Sequence, residues 1–120
     1  MGRPIVHWEF WSRDPEQLAD FYRDLFDWDI QSIPDMDYHM IEPGIDGSLS
    51  GGIMTPAEGE WPGNMALYID VEDLAEYREK IIAAGGTVLV EDQEIPGMGH
   101  LCLFTDPDQR VCGLWQREST

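Results

Sequence analysis

A chain of 120 residues with 24 acidic and only 7 basic side chains carries a formal charge of −17. Such a surface repels phosphate backbones and anionic lipid, so neither nucleic acid nor membrane is expected as a partner. The length and a 42% hydrophobic content suit one compact domain over residues 1–120 with a real core.

No apolar run approaches the ~20 residues of a membrane span. The N-terminus lacks a basic stretch followed by an apolar one, which predicts no signal peptide and a cytoplasmic location. Cys102 and Cys112 are too few for a disulfide framework and lack CxxC spacing, so they read as two buried thiols.

In chain order, Ile5 to Trp11 reads as a strand in which Val6, Trp8 and Phe10 alternate with His7, Glu9 and Trp11. Ser12 or Asp14 can cap the helix that follows, and Pro15 sits where its missing N–H is harmless. Leu18, Phe21, Tyr22, Leu25 and Phe26 then give a wide apolar stripe at helical spacing. Strands are predicted over Trp28 to Ile33, Tyr38 to Glu42 and Ser48 to Met54. Gly51-Gly52 weakens the last of these, which suggests a bulge or the close approach of another group. Thr55 to Gly63, rich in proline and glycine, reads as a linker.

The cycle then restarts. Met65 to Asp70 is a strand, Asp73 caps a helix carrying Leu74, Tyr77, Ile81 and Ala84, and Gly85-Gly86 ends it. Thr87 to Val90, Gly99 to Thr105 and Arg110 to Gln116 complete the strands, with Asp106-Pro107-Asp108-Gln109 as a turn. The two helices repeat one another: Leu18-Ala19-Asp20-Phe21-Tyr22-Arg23-Asp24-Leu25 against Leu74-Ala75-Glu76-Tyr77-Arg78-Glu79-Lys80-Ile81. The order is β-α-β-β-β twice, in module 1 (about 4–54) and module 2 (about 64–117).

This predicts an α+β domain in which two tandem βαβββ modules form a curved eight-stranded sheet around a concave cleft. Alternation puts Val6, Trp8, Phe10, Met65, Leu67 and Ile69 under the helices. It turns His7, Glu9, Trp11, Ala66 and Tyr68 toward the concavity.

Several segments, in this order along the chain, resemble the vicinal oxygen chelate superfamily, the glyoxalase, bleomycin-resistance and dioxygenase group. They are the His7-to-Asp14 opening, Phe21-Tyr22-Arg23-Asp24-Leu25-Phe26-Asp27-Trp28, Val71-Glu72-Asp73, Gly85-Gly86-Thr87-Val88, Asp106-Pro107-Asp108-Gln109-Arg110 and the ending Gly113-Leu114-Trp115-Gln116. The resemblance implies the glyoxalase-like fold and its cleft. It also implies a divalent metal held by one residue on each of four central strands, usually His, Glu, His and Glu. Here His7 matches the first position. The others fall near Gly51 or Gly52, at Ala66 and at Gly113, none of which offers a ligand atom. No cofactor is therefore expected, and His7 alone remains as a metal-ligand candidate.

His7 and Glu9, at i and i+2 on one strand face, could clamp a substrate or exchange a proton. His39 and His100 lie in predicted strands without a motif; His100 ranks above His39 because it follows the glycine-rich Pro96-Gly97-Met98-Gly99. Among the five tryptophans, Trp8 and Trp28 read as core. Trp11, Trp61 and Trp115, with Tyr68, could line an aromatic pocket, and glycines 51, 52 and 113 would leave room in it.

The expected ligand-binding residues are thus His7, Glu9, Trp11, Tyr68, Trp115 and His100. The expected function is a metal-independent, glyoxalase-like small-molecule-binding protein, a homodimer. Two alternatives stand beside it: an enzyme of the superfamily (lyase, isomerase or dioxygenase) with a reorganised metal site, and a sequestration protein of the bleomycin-resistance type, whose acidity would suit a cationic ligand.

Overall fold

A computed structural model describes residues 2–34, 37–42, 44–45, 49–55 and 63–118. It contains β1 (Ile5–Trp11), α1 (Pro15–Phe26), β2 (Ile30–Ile33), β3 (Tyr38–Ile41), β4 (Ser50–Met54), β5 (Met65–Asp70), α2 (Leu74–Ala83), β6 (Thr87–Ile95), β7 (Gly99–Thr105) and β8 (Val111–Arg117). This is the expected α+β order of two βαβββ modules. The chain divides into two compact units, His7–Met65, and Ala66 onward together with the residues up to Val6. Trp61 and most of the expected linker lie outside the described residues.

In the first unit β1 runs parallel to β4, β4 antiparallel to β3, and β3 antiparallel to β2. In the second, β5 runs parallel to β8, and β8, β7 and β6 follow antiparallel. Asp14 accepts the Gln17 N–H at 3.1 Å and Asp73 accepts the Ala75 N–H at 3.0 Å, so both helices start at side-chain caps. Gly85 adopts φ +96, the left-handed turn that stops α2. The Asp106 carboxylate accepts the backbone N–H groups of Asp108 and Arg110, at 2.8 and 3.0 Å, and so builds the expected turn.

Each unit has its own core. Ala19, Ile30, Ile41 and Ile53 are buried in the first, with Trp8, Phe10, Leu18, Tyr22 and Trp28 packed on them. The Tyr22 and Trp28 rings stack at 4.7 Å, and Trp8 meets Trp28 at 5.5 Å. Val71, Leu74, Cys102 and Leu114 form the second core, under Ile69, Tyr77, Ile81, Val88 and Phe104. Cys102 is buried and Cys112 half-buried, and desolvation raises both thiol pKa values, as suits unreactive thiols.

Three expectations are corrected. The apolar stripe of α1 is only partly used: Phe21, Leu25 and Phe26 are 53, 60 and 58% exposed. At about 100° per residue the line facing the sheet runs through Leu18, Ala19 and Tyr22, which puts Phe21 and Leu25 on one flank. Phe26 ends the helix, just before Asp27 turns left-handed at φ 57.

Met65 and Leu67 are not covered as expected; they are 48 and 39% exposed. Only Ile69 of that set reaches the core. The main strand contacts of α2 are with β6, β7 and β8. Finally, β6 continues five residues beyond Val90 to Ile95. Its extension, Glu91-Asp92-Gln93-Glu94, is exposed and passes through register shifts, so the apolar alternation that marks a half-buried strand is missing.

Among the described residues no helix is long and apolar enough to cross a membrane. Asp73→Ala should destabilise the protein by about 1 kcal/mol through loss of the α2 cap. A denaturant titration reads this as a lower midpoint at unchanged slope.

Candidate functional site

The inner residues of β1 meet the far ends of β3 and β4. In the parallel register His7 lies opposite Ser50 and Glu9 opposite Gly52, while Trp8 lies opposite Gly51 on the other face. His7 is half-buried, Glu9 is 4% exposed and Trp11 6%. A carboxylate so deep is tolerated only when its oxygens accept hydrogen bonds. Trp11 Nε1 donates to Glu9 Oε1 at 2.7 Å, and the Tyr38 hydroxyl donates to Glu9 Oε2 at 2.9 Å.

Tyr38 also lies 2.7 Å from His7 Nε2, and Ser50 Oγ lies 2.8 Å from His7 Nδ1. These bonds fix a direction. The Tyr38 proton goes to Glu9, so the phenol oxygen accepts from His7 Nε2–H. In the neutral ring Nδ1 is then the acceptor, taking the Ser50 hydroxyl proton. Burial supports that neutral form by lowering the His7 pKa below its ordinary value of 6.5. The result is a chain of donors, Ser50 to His7 to Tyr38 to Glu9, with Trp11 closing on the same carboxylate. Such a chain can hold a polar ligand group, or pass a proton between imidazole and carboxylate through the phenol.

Sequence reading named three members, His7, Glu9 and Trp11, and missed Tyr38 and Ser50. The one signal for Tyr38 was Gly51-Gly52. A Cβ on Gly52 would lie 1.7 Å from the Tyr38 hydroxyl, and one on Gly51 2.2 Å from the Trp8 ring. The close approach suggested by the glycine pair is therefore real. The room expected at these glycines is not empty, since Tyr38 and Trp8 fill it. Gly113 behaves likewise: Tyr68, its direct partner on β5, would sit 2.3 Å from an added Cβ.

The other expected site residues belong to the second unit. Tyr68 is buried on β5, and Trp115 is half-buried on β8, paired in register with Asp70 and Leu101. His100 stands on β7 with Nδ1 2.7 Å from Asp92 Oδ1. Its pKa is raised, first by the Asp92 hydrogen bond and further by the charges of Asp92, Glu94 and Glu118.

His39, of the first unit, is buried, as a structural histidine should be. Its Nε2 is 2.7 Å from Glu16, whose carboxyl pKa is lowered first by that bond, while Nδ1 has no partner among the described residues.

The residues do not fit the four-ligand metal centre that the resemblance implies. Gly52, not Gly51, shares the Glu9 face, and the space a carboxylate would need there holds Tyr38. Ala66 and Gly113 offer no ligand atom, and both His7 nitrogens are engaged by Tyr38 and Ser50.

Comparison with known proteins places this geometry in context. The family model described as the Glyoxalase/Bleomycin resistance protein/Dioxygenase superfamily matches residues 4–110. The anthracycline biosynthesis protein DauV of Streptomyces sp. is 25% identical over 128 aligned positions, covering 88% of this chain and 44% of that protein. The chain spans less than half the length of the curated relatives it matches. A glyoxalase/bleomycin resistance protein/dioxygenase superfamily member from Vibrio splendidus superposes with a TM-score of 0.66 at 15% identity, over 96% of this chain and 99% of that one. Methylmalonyl-CoA epimerase from Mycobacterium tuberculosis does so at 0.64 and 13%, over 96% and 88%. At these identities the likeness is one of fold.

The two shifted imidazoles should titrate in opposite order, His7 below and His100 above 6.5, which a proton NMR titration resolves. Because folding lowers the His7 pKa, the unfolded chain binds more protons in that range. The His7 contribution to stability is therefore present above 6.5 and lost as pH falls below it, through the lowered folded-state pKa. His7→Gln should flatten that part of the stability profile. Tyr38→Phe keeps the ring over Gly52 but removes the hydroxyl from both His7 and Glu9. It should cost about 1–3 kcal/mol in denaturant unfolding.

Proposed function

The chain belongs to the Glyoxalase/Bleomycin resistance protein/Dioxygenase superfamily, and from that premise we propose that it is a small-molecule-binding protein that works without a metal. The observation that carries this reading is the Tyr38 hydroxyl. It lies between His7 Nε2 and Glu9 Oε2, over Gly52, on the strand face where the family would place a carboxylate ligand. The hydrogen bonds within the site order its donors and acceptors, which suits recognition of a neutral or cationic group by a fixed pattern. The buried Trp11 indole sets the aromatic side of the site through its bond to Glu9. The strong negative charge of the chain favours a cationic over an anionic ligand by long-range attraction. The proposal keeps the cytoplasmic, homodimeric small-molecule binder expected from the sequence.

A second reading rests on the same contact. A phenol held between an imidazole and a carboxylate can relay a proton, so metal-free acid–base turnover of a bound substrate is the enzymatic alternative. It predicts a bell-shaped pH profile whose limbs move when His7 or Glu9 is replaced. A flat profile excludes it.

The principal test is calorimetric. Titration with Ni²⁺, Zn²⁺, Mn²⁺ and Fe²⁺ should reveal no binding that His7→Ala abolishes, whereas tight one-to-one binding lost in His7→Ala contradicts the proposal. In parallel, a panel of flat aromatic amines should contain compounds that saturably quench tryptophan fluorescence in the wild type, with affinity reduced at least about tenfold in Trp11→Ala and in Glu9→Gln. A panel without a saturable binder, or binding indifferent to both changes, argues against the assigned site.

A further inference from the structure

A different set of ligating groups gathers in the second unit, on residues other than those the resemblance aligns with metal ligands. Glu94, His100 and Glu118 each offer a ligand atom, and these atoms lie within 4.8 Å of one another. Sheet register brings them together. Glu94 is the cross-strand partner of His100 on the β6–β7 ladder, and His100 is the partner of Gln116 on β8. Glu118 stands two residues beyond Gln116, and its N–H donates to the Met98 carbonyl at 2.9 Å, which fastens the chain just after β8 to the start of β7. The three side chains are thus set by paired backbone rather than by a free loop.

We propose that Glu94, His100 and Glu118 form a surface site for a first-row divalent cation of the Zn²⁺ type. An imidazole among the ligands distinguishes this set from a plain carboxylate cluster and favours Zn²⁺ or Co²⁺ over Mg²⁺ or Ca²⁺. Three protein ligands with water in the fourth position is a common zinc arrangement. The outer contact is also in place: His100 Nδ1 is hydrogen-bonded to Asp92 Oδ1 at 2.7 Å, which leaves Nε2 as the ligating nitrogen. The nearest basic side chain in sequence, Arg117, is directed to Asp70 at 3.6 Å. Glu94 and Glu118 are exposed and His100 is partly so, which keeps the site open to solvent ions. Bound metal would tie the end of β8 to the β6–β7 hairpin. The proposal is independent of the His7–Tyr38–Glu9 chain.

The test is calorimetric titration of the whole protein with Zn²⁺ in a non-chelating buffer at neutral pH. Binding should be one-to-one, weakened at least about tenfold by His100→Ala and by Glu94→Gln/Glu118→Gln, by about tenfold by Asp92→Asn, and not at all by His7→Ala. Because the side chains are at the surface the variants should fold, and circular dichroism checks this. On the wild type alone, Zn²⁺ should displace the His100 Nε2 resonance in a long-range ¹H–¹⁵N spectrum far more than that of Nδ1. Failure to saturate at millimolar Zn²⁺, unchanged binding in folded His100→Ala, or an unmoved His100 Nε2 each overturns the proposal.

Discussion

The first unit is organised around one unfavourable act, the burial of the Glu9 carboxylate in a chain that already carries a charge of −17. Its oxygens need donors, and the sheet supplies them from different distances along the chain: the Trp11 indole two residues away and the Tyr38 phenol twenty-nine residues away. Once Tyr38 gives its proton to Glu9, its oxygen becomes an acceptor, and that sets the His7 tautomer. Once the tautomer is set, Ser50 must donate. A single carboxylate thus orients four other side chains, and each replacement in the set disturbs its neighbours. Such coupling is the usual property of a buried polar network, which specifies one arrangement at the risk of a large penalty when a member is lost.

Glycine is the partner of that network. Tyr38 can reach His7 and Glu9 only because Gly52 has no side chain, and in the second unit Tyr68 lies across Gly113 in the same way. At two positions where the family would place metal-binding carboxylates, this chain has a glycine with a tyrosine over it. The two glycine–tyrosine contacts are alike in shape but not in chemistry. Tyr38 is flanked by His7 and Glu9, whereas opposite Gly113 the tyrosine covers a strand that offers no ligating side chain at that point.

Much of the fold was legible. Met65–Asp70 and Gly99–Thr105 form with the expected bounds, both aspartate caps are made, and Gly85 stops α2, because these are local matters of alternation, capping and left-handed backbone. Features that depend on which surface covers which were harder to see. The apolar count on α1 is symmetrical to the eye, but the sheet selects the Leu18–Ala19–Tyr22 line and leaves Phe21 and Leu25 in solvent. Met65 and Leu67 alternate correctly but stay 48 and 39% exposed. Of the hydrogen-bonded network, His7, Glu9 and Trp11 were visible because they share one face of one strand. Tyr38 was not, since its role depends on the β3–β4 register that sets it diagonally across from Gly52, and no motif encodes a register. Glu94 and Glu118 escaped for the same reason, as neighbours of His100 only through two ladders.

The donor chain from Ser50 to Glu9 depends on the protonation of His7. A long-range ¹H–¹⁵N correlation spectrum at neutral pH reads it directly, with and without added divalent metal. The neutral Nε2–H tautomer, with resonances that metal does not displace, is the predicted result. A Nδ1–H tautomer, an imidazolium, or a His7 resonance shifted by stoichiometric metal would contradict it, since the donor chain from Ser50 to Glu9 could not then exist as described.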